Sequence, residues 1–147
     1  LSPQVIVFQQ EMGGMNADQL AKQRQARNGV SSLLTAANNL GYRNIVFGTD
    51  IVTSLSELRN GNRELVLRSE WFEPAEVLRQ ATSKAGELVG LSGPRNPYGK
   101  LGVIEPLAVA DILLVDGDPL EDISILARPQ ESIRVIIKGG EIYKNEL

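Results

Sequence analysis

Two apolar runs set between fixed turns near the C-terminal end constrain this chain most. From Gly99 to Asp122 the sequence gives Leu101–Ile104, a turn at Glu105 and Pro106, a second run Asp111–Val115, then Asp116, Gly117, Asp118 and Pro119 in succession. Short Ile/Leu/Val runs bounded by Pro, Gly and Asp read as strands closed by turns. Two further runs, Ser132–Lys138 and Glu141–Lys144, flank Gly139 and Gly140, the residue pair of a two-residue hairpin. The last third is therefore expected to form a small β-structure, with a helical turn over Leu120–Leu126.

The first half reads differently. Val5–Phe8 has strand composition, and the polar stretch Gln9–Met15 reads as a loop. Asn16 with Gln19 three residues on is a capping-box pattern, so a helix is expected from Ala17 to about Leu40, with Gly41 as its stop. Its apolar positions Leu20, Val30, Leu33, Leu34, Ala37 and Leu40 recur mostly at three- and four-residue spacing. Gly29 falls inside it and marks a bend or a close contact. Ile45–Phe47 reads as a buried strand ending in Gly48, Thr49 and Asp50. Ile51–Asn62 reads as loop with a helical turn, Arg63–Ser69 as helical or irregular, and Pro74 as the first residue of a helix over Ala75–Leu91. Strand, helix, strand, helix favours parallel βαβ pairing. Ser92–Gly99 is turn-rich and is the candidate boundary between two parts.

The chain has 147 residues, 42% hydrophobic and 22% charged, which suits a globular core. A net charge of -3 argues against general binding to nucleic acid or an anionic membrane. No apolar run approaches the ~20 residues of a membrane span. The chain contains neither histidine nor cysteine. That excludes disulfides, thiol catalysis, Cys-type zinc sites and a histidine-based serine triad. The chain opens on Leu1 without a methionine, so its native start is expected upstream, and a soluble, cytoplasmic setting is favoured.

Asp50 is the sharpest candidate for chemistry. A carboxylate at the C-terminal end of a buried parallel strand stands where barrel enzymes place their reacting groups, and Gly48 allows a tight turn there. The same residue also suits a plain turn cap. Gln9, Gln10 and Glu11, with the Ile51–Asn62 loop, are candidates for substrate contact. Glu11, Asp116 and Asp118 have no spacing that gathers them around Asp50, and Arg95, Arg128 and Arg134 form no basic patch.

The Gly99–Asp122 stretch, Gly48-Thr49-Asp50, the run Trp71–Thr82 and Ala85–Leu91 together resemble the C-terminal portion of the amidohydrolase superfamily, and most the imidazolonepropionase-like group that includes Xaa-Pro dipeptidases. The resemblance implies an α/β fold: the last two β/α units of a TIM-type barrel over residues 1–92, an incomplete barrel with Pro3–Phe8 as its seventh strand, and the C-terminal part of a small β-sandwich domain over residues 93–147. A full barrel of this type takes about 250 residues. The resemblance implies hydrolysis of amide or peptide-like C–N bonds, with Asp50 as metal ligand and proton acceptor of the attacking water. The divalent metal, zinc by expectation, belongs to a complete family member. The histidines that hold it there have no counterpart here, so no cofactor is expected in this chain and the isolated chain is expected to be inactive. Expected partners are the missing N-terminal barrel portion or further copies of the chain, and the alternative to an enzyme fragment is a non-catalytic, self-associating module. Two positions depart from the family pattern: Lys84 for a common asparagine, and Leu107 for the glycine after Pro106, where a type II turn needs positive φ.

Overall fold

The computed structural model describes residues 1–9, 14–52, 55–96 and 99–147. The first element is a correction. Val5–Phe8 is not a strand: Ile6–Gln9 forms a short helix, α1. The cause lies far away in sequence. The Glu64 carboxylate accepts the Val5 N–H at 3.0 and 3.1 Å and the Ile6 N–H at 2.7 Å. Those donors are thereby satisfied as the orphan N–H groups of a helix start, and none is left for a strand ladder.

The long helix forms as expected. α2 spans Ala17–Asn39, with the full capping box between Asn16 and Gln19. It ends at Gly41, whose φ is 66°. Tyr42 N–H donates to the Ala37 carbonyl at 2.8 Å and Gly41 N–H to that of Asn38 at 3.0 Å, the paired bonds of a Schellman stop. Leu34 and Ala37 face the core, while Leu33 and Leu40 stay exposed. Gly29 marks no close contact, because a Cβ there would meet nothing within 4 Å.

After α2 the chain runs extended through Ile45 and Val46, both buried. The Leu1 amino group donates to the Asn44 carbonyl at 2.9 Å, and Val46 N–H donates to the Leu1 carbonyl at 2.8 Å. This is one step of parallel pairing about Ile45. The pairing therefore falls at Leu1, not at Val5–Phe8, and Ile45–Phe47 does not extend into a ladder because Phe47 N–H turns instead to the Gln80 carbonyl at 2.9 Å. α3 (Leu55–Leu58) and α4 (Arg63–Arg68) follow.

The expected helix over Ala75–Leu91 is two: α5 (Pro74–Ala81), with its proline at the start, and α6 (Ser83–Gly90). Thr82 breaks it at φ −119°, ψ −92°. Its hydroxyl donates back to the Leu78 carbonyl at 2.7 Å, a bond that competes with the helix ladder and bends it. The bend receives residues 101–102. A Cβ on Gly102 would collide with the Thr82 carbonyl, and one on Gly86 with the Leu101 carbonyl. Backbone thus lies on backbone. Leu101–Ile104 is accordingly not a strand, and only a single bridge joins Lys100 to Ala108.

The remaining sheet matches its sequence signals closely. β1 (Ile112–Val115), β2 (Ile133–Lys138) and β3 (Glu141–Asn145) are antiparallel in the order β1-β2-β3. Gly139 and Gly140, with φ 57° and 86°, make the hairpin turn between β2 and β3. Asp111 anchors that turn by accepting Gly139 N–H at 2.7 Å. Between β1 and β2 lie a 3₁₀ turn, Ile123–Ala127, and a short helix, α7 (Pro129–Ser132). Ile123 and Leu126 of the 3₁₀ turn join Val5, Leu34, Ile45, Leu65, Phe72 and Val77 in one hydrophobic core. Side chains of this size contribute about 1.5–3 kcal/mol each when fully buried. Among the described residues no helix is long and apolar enough to cross a membrane.

Candidate active site

Phe47 to Asp50 closes the extended segment that pairs with Leu1. Gly48 sits in close quarters: a Cβ there would lie 3.0 Å from Ser2 Oγ and 3.6 Å from Gln4 Nε2. Thr49 Cγ2 lies 3.6 Å from where a Cβ of Gly61 would stand. Asp50 is exposed and has φ 52°, the left-handed region that Asp and Asn tolerate better than other side chains. Loop backbones held in this region recur at functional sites.

Behind this segment lies a buried polar cluster that the sequence reading missed. Glu64 and Arg68, one turn apart on α4, are both fully buried. Arg68 Nε donates to Glu64 Oε1 at 2.8 Å, one guanidinium NH₂ donates to Gln80 Oε1 at 2.7 Å, and the other donates to the Pro3 carbonyl. The Arg68 guanidinium also stands 5.4 Å from the centre of the Phe47 ring. Burial raises the Glu64 carboxyl above its ordinary value, against the downward pull of Arg68 and the Ile6 and Val5 N–H groups. Burial likewise lowers Arg68 below its ordinary value, against the upward pull of Glu64. The sequence did carry a signal, a Glu and an Arg four residues apart within Arg63–Arg68, but that spacing ordinarily marks a solvated pair.

The other candidates do not converge on Asp50. Asp116 pairs with Arg134 of β2 at 2.5 Å, and Asp118 accepts Leu120 N–H at 2.8 Å within its own turn. Gln9 ends α1 and borders a crevice of about 190 Å³ with Phe8, Arg27 and Trp71. Gln10 and Glu11 lie outside the described residues. Among the described residues no three His, Cys, Asp or Glu side chains stand together as a metal ion requires. The described residues alone do not fit a catalytic metal, since zinc takes about four ligands and among them Asp50 belongs to no group of three that could supply them.

A family model described as the amidohydrolase family matches residues 2–142. The chain belongs to the amidohydrolase family. Solved structures agree. An amidohydrolase is similar at 28% identity and a TM-score of 0.83, over 99% of this chain and 34% of its own. A prolidase solved with N-methylphosphonate-L-proline is similar at 28% identity and a TM-score of 0.80, over 98% of this chain and 34% of its own. A Xaa-Pro dipeptidase solved with methionine in its active site is similar at 28% identity and a TM-score of 0.69, over 89% of this chain and 29% of its own. No curated protein matches. This amidohydrolase chain spans about a third of the length of its structural relatives.

Proposed function

We propose that this chain is the C-terminal portion of a metal-dependent amidohydrolase that hydrolyses amide or peptide-like C–N bonds, with Xaa-Pro dipeptides as the first substrates to test. The observation that carries the reading is the family match over nearly the whole chain together with likeness to a prolidase and a Xaa-Pro dipeptidase. In the proposed barrel the Leu1 and Ile45 segments are the last two strands, and their parallel pairing supports this. Asp50 then follows the final strand at its C-terminal end, where such barrels react. Its own part is to accept the proton of the attacking water, which a carboxylate does and an amide cannot. A metal would need ligands from outside the described residues.

A second reading has its own observation. Leu1, Leu33, Leu40 and Tyr42 remain exposed beside a crevice of about 660 Å³ at the end of α2. Apolar surface of this kind favours association. In the enzyme reading it receives the remaining barrel; in the other it joins two copies of a non-catalytic module. Light scattering with a hydrolysis assay separates them. A chain that scatters as a monomer and is inactive until supplied with the rest of a barrel supports the first. A stable dimer unaffected by that addition supports the second.

A further inference from the structure

The buried cluster of Glu64, Arg68 and Gln80 touches both the start of the chain and Phe47, the residue from which the chain runs on to Asp50. Glu64 holds the N–H groups of Val5 and Ile6. Arg68 holds the Pro3 carbonyl, the Gln80 side chain and Glu64, and its guanidinium lies over Phe47. The Gln80 backbone carbonyl holds Phe47 N–H at 2.9 Å. Both extended segments that pair at Leu1 and Ile45 are thus gripped from α4 and α5. Phe47 stands three residues before Asp50.

Bulk stability is a poor reason for such a cluster. A buried ion pair recovers in attraction about what it loses in desolvation, and apolar replacements of similar volume are often as stable or more so. The Gln80 Nε2 is buried without a hydrogen-bond partner, a further cost. What the cluster supplies is direction. The guanidinium fork fixes three acceptors at set angles, which a lysine ammonium cannot reproduce, and hydrogen bonds from both sides fix the register of residues 3–6 against Phe47.

We propose that Glu64 and Arg68 are positioning residues that set the backbone of residues 47–50, and through it the place of Asp50, relative to the start of the chain. The proposal rests on the reading of Asp50 as the reaction-bearing carboxylate, but its test needs neither metal nor substrate. The amide signals of the ¹⁵N-labelled 147-residue chain are compared with those of Arg68→Lys and of Glu64→Leu/Arg68→Met, each with its thermal melt. The expected result is that the Gly48, Thr49 and Asp50 signals shift or split, those of Ile112–Val115 and Ile133–Lys138 stay in place, and the double variant melts no earlier than the parent. Should the double variant not fold, Arg68→Lys decides by the same signals. Unmoved signals at residues 48–50 overturn the proposal. So do changes spread evenly into the β1–β3 sheet, which mark a role in general fold support. Loss of the catalytic reading of Asp50 alone would leave these signals as expected.

Discussion

Leu107 holds a backbone that its own side chain resists. Its φ is 71°, in a turn closed by Ala108 N–H to the Glu105 carbonyl at 3.2 Å, and the side chain is fully exposed. A left-handed residue with a Cβ costs about 1–2 kcal/mol, and no contact offsets it. Leu107→Gly is therefore expected to raise the unfolding free energy by about 1 kcal/mol in urea, the loss of chain stiffness in the unfolded state taking back part of the gain. An unchanged midpoint would show that the turn is not strained. Residue-scale features that obey local rules were legible in the sequence: Asn16 as cap and Gly41 as stop. Glu64 and Arg68 were not, because the groups they serve lie far along the chain, Glu64 at Val5 across 59 residues and Arg68 at Pro3 across 65. No local rule joins them.

Elements show the same division. α2 and the Gly139–Gly140 hairpin follow from sequence because their caps and turns are internal. The break at Thr82 and the loss of the 101–104 strand do not, because each depends on backbone from another segment: the bend accepts Gly102, and residue 101 accepts Gly86. α1 takes the place of the expected strand only because Glu64 caps it from α4. Two element-scale predictions follow from these geometries. Gly29 lies within α2 with open space around it, so Gly29→Ala is expected to stabilise the chain by about 1 kcal/mol, read as a higher urea midpoint. Asp122 caps the 3₁₀ turn that carries Ile123 and Leu126 into the core, accepting Ser124 N–H at 2.9 Å. Hydrogen bonding from Ser124 holds the Asp122 carboxyl below its ordinary value of 3.8. A carboxyl lowered in the folded state contributes stability above its unfolded value and loses it as pH falls through the folded one. Asp122→Ala is thus expected to melt earlier than the parent at neutral pH, with the gap narrowing as pH drops below 3.8. A gap constant with pH would place the loss in packing rather than in the charged cap.

At the scale of the molecule, one core unites the helical half with the 3₁₀ turn of the C-terminal half, so the two parts that the sequence suggested share buried residues. The chain spans about a third of the length of its structural relatives, and apolar residues at the end of α2 are exposed. What was legible at this scale came from motif order: the Gly48-Thr49-Asp50 turn, the helix opened at Pro74 and the turns of residues 99–122 stand in family sequence. Whether Asp50 reacts is decided most directly in a complete barrel. Residues 1–147 are grafted in place of the matching third of the similar prolidase, and hydrolysis of Xaa-Pro dipeptides is measured with and without Asp50→Asn. The account predicts an active graft whose kcat falls by about 10²–10⁴-fold in the Asn variant, with the fold intact by circular dichroism. A graft equally active with asparagine at position 50 would contradict it.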